Sequence, residues 1–270
     1  MSDRTELSKD VEDVTYMDGF IEEDTSLDAL KEFFIPSVLK KLEAGSNPKD
    51  LVDEHGAGCV ILTPQNECIW KKGDKPFQFV PILFTPIYRK WLDFLDPEGP
   101  NAIETSFDTM SNLAKMARSS ERRNAESYGR DFHYQYVEHL VFTGVLYNGV
   151  HAGTQCMLSF ERSGNFKGKA FSSAIRSRKI TINNGLKPQP MWSQVWGMEL
   201  VEKSNSKGRW HALNFRVVDP KIIAQQYVEP FQELYTTWKR MQEKEEIQFS
   251  DETTANDMNN DAEVVDDGIM

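Results

Sequence analysis

Charge in this chain is segregated by region, and the segregation decides which part of it can fold. Residues 1–32 carry eleven acids and three bases, and 241–270 carry ten acids and one base. The stretch between them, 33–240, carries 27 bases and 21 acids, so a basic body (+6) sits between acidic ends (−8 and −9), and the net charge of −11 takes its sign from the ends. Segments this acidic, with no sustained apolar period, cannot bury enough surface to offset the entropy of ordering them. A flexible acidic arm is therefore expected over 1–26 and a disordered acidic tail over 248–270. The remaining 27–247 is long enough for one well-buried domain.

Several classes are excluded early. No apolar run approaches the ~20 residues that span a bilayer, and the N-terminal residues lack the basic start and apolar stretch of a secretion signal. Cys59, Cys68 and Cys156 form no CxxC pair, so neither a disulfide framework nor a thiolate zinc site is expected, and a reducing cytoplasm fits best. His133, His139 and His151 lack metal-holding spacings. There is no GxSxG elbow and no phosphate-cradling glycine loop. Glu138, Glu161 and Glu199 remain as carboxylates that a nuclease would have to gather from separate strands. No enzyme and no cofactor is expected.

The periodicity predicts a mainly β fold with added helices. Leu27, Leu30, Phe34, Val38 and Leu42 recur at helical spacing, interrupted by Pro36, and predict a short helix. Residues 59–62, 67–71 and 77–84 are β-rich, punctuated by Pro64, Gly73 and Pro81. Phe107, Met110, Leu113, Ala114 and Ala117 predict a helix within 104–127. Two more strands are expected at 136–147 and 155–160. A helix is expected from Gly168, with Ile180 to Ile182 equally readable as the start of a strand. Residues 191–201 and 209–218 predict a hairpin, and a final helix follows from Asp219-Pro220 to about Glu246, bent at Pro230.

The region from Arg162 to Arg216 concentrates eleven bases against two acids. Its bases Lys167, Lys169, Arg176, Arg178, Lys179, Lys203, Lys207 and Arg209 are interleaved with Phe166, Phe171, Trp192, Trp196 and Trp210. Unstacked bases of a single strand stack on aromatic rings while lysine and arginine neutralise phosphates, so this composition matches a single-stranded nucleic-acid surface. Alternation places Trp192, Gln194, Trp196, Met198 and Leu200 on one face of the hairpin, although a tryptophan on a strand is more often core than ligand. A second cluster, Trp70, Lys71, Lys72 and Lys75, either extends the same surface or is a solvated turn.

The run from Lys169 to Phe215, a basic helix-like segment followed by an aromatic hairpin with Asn205, Lys207 and Gly208 at its tip, resembles the single-stranded-DNA-binding proteins of DNA phages. Asp261, Glu263, Asp266 and Asp267 before Ile269 and Met270 resemble the acidic, apolar-ended tip by which such proteins dock replication, repair or recombination partners, although the terminal aromatic common among them is lacking; for this chain, replication, recombination or transcription proteins are the expected partners. The resemblance implies an OB-fold-like antiparallel β-barrel, nominally five-stranded, with the ligand crossing one face, and an acidic tail that shields the groove until DNA displaces it. The competing reading is a protein-interaction cofactor of an RNA polymerase or replisome.

Overall fold

A computed structural model describes residues 37–43, 49–92, 102–119, 134–161, 164–182, 185–206 and 208–243. The predicted arm and tail, with the predicted partner-docking residues Asp261, Glu263, Asp266, Asp267, Ile269 and Met270, lie outside the described residues. In chain order the elements are β1 (Ser37–Lys41), α1 (Lys49–His55), β2 (Val60–Thr63), β3 (Glu67–Trp70), β4 (Phe77–Leu92), β5 (Ala102–Ser106), α2 (Asn112–Arg118), β6 (Tyr134–Leu146) and β7 (Gln155–Glu161). There follow α3 (Asn165–Ser177), β8 (Lys179–Ile182), β9 (Gly185–Pro188), β10 (Gln194–Asn205), β11 (Gly208–Ile222) and α4 (Val228–Glu243).

Nine strands join one curled, half-barrel sheet in the order β11-β10-β4-β6-β7-β1-β2-β3, with β5 added to β4, while β8 and β9 form a separate hairpin. Its ladders are antiparallel except for β1 against β7. The fold is therefore mainly β with added helices, as expected, with nine strands in the main sheet against the five implied by the resemblance.

Curvature comes from β4, which runs straight through the predicted breaker Pro81. A bulge between Pro81 and Leu83, opposite Gly144 on β6, takes up the missing proline N–H. Phe79 and Phe84 consequently both pack in the interior although they are an odd number of residues apart. Gly144 is required there, because a Cβ would collide with the Val80 carbonyl and the Phe79 ring.

Both faces of the sheet are covered. Helix α3 fills the concave face: Phe171 lies 4.8 Å from Phe142, 4.9 Å from Phe215, 5.2 Å from Trp196 and 6.3 Å from Phe160, ring centre to ring centre. On the convex face Val80, Ile82, Val145 and Val195 pack beneath Phe231, Trp238 and Met241 of α4. Pro230 is the third residue of α4, where a missing N–H costs no intrahelical bond, so it opens the helix and does not bend it.

Side chains complete the curl where the ladder stops. Glu43, just after β1, accepts hydrogen bonds from the backbone N–H of His211 on β11 at 2.7 Å and lies 2.9 Å from His211 Nδ1. Lys41 bonds Glu43 at 3.1 Å and the His211 carbonyl at 3.0 Å. The His211 ring sits against Gly58, where a Cβ would strike it.

Two predicted helices differ from the structure. Residues 37–41 of the first are strand β1, paired with β2 and β7. Val38 and Leu39 are buried in different clusters, so a strand covered on both sides gives consecutive apolar residues that resemble a helical stripe. Residues 27–36 lie outside the described residues. The second helix contracts to α2, capped by Ser111, which accepts from the Ala114 N–H at 3.1 Å; residues 104–106 of the predicted span belong to β5 (Ala102–Ser106) instead.

Replacing Phe171 by Ala should cost about 3–5 kcal/mol of unfolding free energy, the usual range for a buried Phe, whereas exposed Phe166→Ala should stay within about 0.5 kcal/mol. Denaturant unfolding followed by circular dichroism checks both, and equal stability of the two variants would refute the plug.

Candidate nucleic-acid interface

The hairpin β10–β11 assigns the tryptophans to different environments. Gln194, Trp196, Met198 and Leu200 do share a face, and it is the buried one. Trp196 is 3% exposed; its Nε1 donates to Gln194 Oε1 at 3.2 Å and the Arg178 guanidinium lies 5.5 Å from its ring. Trp70 is also core, 4% exposed at the end of β3. Trp192 lies in a 3-10 turn (Met191–Ser193), half-buried against the α4 cluster. The sequence-based placing of Trp70 and Trp196 on a base-stacking surface is thus corrected: both rings are spent on the core.

Trp210 is the exception. It is 40% exposed on the convex face of β11, and its partner across the ladder is Lys203. Ala212, Asn214 and Arg216 follow it at two-residue spacing, so they lie on the same face. Lys203 and Arg216 are exposed and have no carboxylate partner among the described residues. Arg216 was legible from alternation alone, as the third step along the face from Trp210. Lys207 lies outside the described residues.

The predicted Trp70–Lys75 cluster adjoins this hairpin. Lys71 donates its backbone N–H to Asp74 at 3.0 Å in a turn where Gly73 takes φ 102°. Lys72 reaches Glu202 on β10 at 3.3 Å, and Arg209 reaches the same carboxylate at 3.4 Å. The hydrogen bond and charge of Lys72, with help from Arg209, hold the Glu202 carboxyl below its usual range. Glu202 lies on the His211 face of the ladder, so the Lys71–Lys75 turn and Arg209 gather at the hairpin tip on the side opposite Lys203 and Trp210.

The other predicted bases lie at the two ends of α3, about 15 Å apart for ten residues of helix. At its start Phe166 is 78% exposed beside Lys167, while Lys169 and Arg118 bond Glu138 at 3.0 and 2.9 Å. Burial pushes the Glu138 carboxyl up, but these two bonds outweigh it and hold the group below its usual value. At the other end Arg176 donates to the Ser172 hydroxyl at 3.0 Å, and Lys179 and Lys187 line the β8–β9 hairpin. Arg178 donates to the Lys221 carbonyl at 3.1 Å, and burial lowers its pKa from the usual value.

The three carboxylates do not converge. Glu138 belongs to the network under α2 and α3, Glu161 pairs with His139 at 3.3 Å, and Glu199 accepts from Asn214 at 3.3 Å. Among the described residues no group of three or more His, Cys, Asp or Glu is placed to hold a metal. Cys59, Cys68 and Cys156 are free thiols, and no described helix is long and apolar enough to cross a membrane.

Comparison with known proteins places the chain without assigning its activity. No curated protein and no solved structure matches it. A family model does, over residues 63–246, a span that runs from the end of β2 through α4 and includes both α3 and the tryptophan-bearing hairpin. That span is more than half of the chain, and the protein belongs to the family described as Pam3 phage gp34-like protein.

Proposed function

We propose that this protein binds single-stranded nucleic acid, foremost DNA, with little regard for sequence, and serves phage replication, recombination or transcription in the host cytoplasm. Trp210 carries the proposal. A large ring 40% exposed on a two-stranded ribbon, with Lys203 across from it, offers a base a π-surface and its phosphate a cation, and Arg216 continues the same face about 20 Å further along the strand. Stacking needs only the face of a base, which every base has, so such a site tolerates any sequence and rejects duplex, whose faces are already stacked. The turn holding Lys71, Lys72 and Lys75 adds cations on the other side of the same hairpin tip. Membership of a phage family supports the setting. In this reading the protein is a binding protein, neither an enzyme nor dependent on a cofactor, and the acidic residues 248–270 compete with DNA for the bases at the hairpin tip. Once displaced, that segment recruits partner proteins through Asp261, Glu263, Asp266, Asp267, Ile269 and Met270.

Anisotropy titration of a labelled oligonucleotide should show single-strand binding that weakens steeply with rising salt, as counterion release requires. Trp210→Ala should lose about 1–3 kcal/mol of that binding with an unchanged unfolding midpoint. Affinity flat in salt, or greater for duplex, would contradict the reading, and so would full affinity in the variant.

Deleting 248–270 removes seven acids and no bases. The truncated protein should bind DNA more tightly, most visibly at low salt, where charges act over a Debye length of about 10 Å or more. Unchanged or weaker binding at low salt would show that the segment does not shield the surface.

A further inference from the structure

The concave side of the sheet holds a feature that the hairpin does not account for. Beside the last turns of α3 lies a cleft of about 310 Å³ whose floor is Phe84 and Phe142, ring centres 4.9 Å apart and tilted 40°. Ile175, Met191 and Pro188 form its apolar walls, and Arg176 and Ser172 stand together on one side. Its size is at the small end of ligand sites, enough for one flat ring system and too little for a dinucleotide.

Its wall is held in place beforehand. Gln194, fully buried, donates to the Ile175 carbonyl at 3.1 Å and to the Gln189 carbonyl at 3.0 Å, which ties the segment after β9 to the end of α3. Gln189, also lining the cleft, is fixed by its own bond to the Ser193 carbonyl at 3.2 Å. Cations gather at the rim: Arg176 is exposed, Lys179 pairs in register with Pro188, and Lys187 precedes that proline. Neither lysine has a carboxylate partner among the described residues.

An aromatic floor with a cationic rim selects a flat ring that carries an adjacent anion, the chemistry of a nucleotide. We infer that the cleft takes one unstacked base of the bound strand against the half-buried Phe84 ring, which the buried Phe142 supports from below, with the neighbouring phosphate on Arg176 and Lys187. The inference rests on the single-strand-binding reading and extends it, since Trp210 lies on the convex face and the cleft on the concave one.

The test uses the full chain and an oligothymidylate of about 20 nucleotides, longer than the 4–16 that one barrel of this kind covers. Met191→Trp, which fills the cleft from its rim, should weaken binding about fivefold or more, the lower end for one stacked base, while leaving the salt slope unchanged. Arg176→Ala, at an exposed position, should weaken binding and also reduce the slope of log affinity against log salt by about 0.7, one phosphate contact on a single strand. If both variants bind as wild type while Trp210→Ala is impaired, the cleft is empty of DNA and this inference falls alone. Absence of oligonucleotide binding by the wild-type protein would overturn both the inference and the reading beneath it.

Discussion

The structure depends on filling the concavity of a curled sheet. A strongly curved sheet leaves its inner face without a facing layer, and here α3 provides one, inserting Phe171 among Phe142, Phe160, Trp196 and Phe215. Tilted and edge-on aromatic pairs of this kind add about 0.5–1.5 kcal/mol each beyond simple area burial. The curl itself comes from the β4 bulge, and the interior parity that brings Phe79 and Phe84 to one side follows from it. Removing the plug would leave the rings of four strands facing a void.

That requirement determines which aromatics remain available. Trp196 and Phe215 must face inward to meet Phe171, so alternation along the β10–β11 ladder turns Lys203, Trp210 and Arg216 outward. Closure of the curl acts in the same direction. His211 is drawn inward to Glu43 and Gly58, and its neighbour Trp210 is left on the outside. The Lys72–Glu202 pair then fixes the β3–β4 turn against the same hairpin. A packing constraint at the centre thus positions the basic and aromatic surface at the edge.

Much of this was legible in the sequence where one period dominated. The hairpin, the final helix and the β-rich character follow from alternation and three- to four-residue spacing. The failures have physical causes. Val38 and Leu39 looked helical because β1 is covered on both faces, and the strand read over 77–84 runs on to Leu92, past a bulge at Pro81 that is invisible without its partner Gly144. Among the site residues, period two grouped Trp196 with Met198 and Leu200 but could not say which face was buried. That depends on Phe171, more than twenty residues away in the chain. The Phe84–Met191 cleft draws its lining from β4, β6, α3 and the segment after β9, and no local pattern joins them. The coupling of the Lys71–Lys75 turn to the hairpin likewise rests on a contact between residues 130 apart.

The central claim is that the convex tip of the β10–β11 hairpin is where a single strand lies. Photo-cross-linking an oligonucleotide that carries 5-iodouracil, which couples to stacked aromatic side chains, followed by peptide mapping, tests it most directly. The account predicts that adducts concentrate at Trp210, disappear in high salt and are suppressed by unlabelled single strand but not by duplex. Adducts that avoid the hairpin altogether, or that survive competition by single strand, would contradict it.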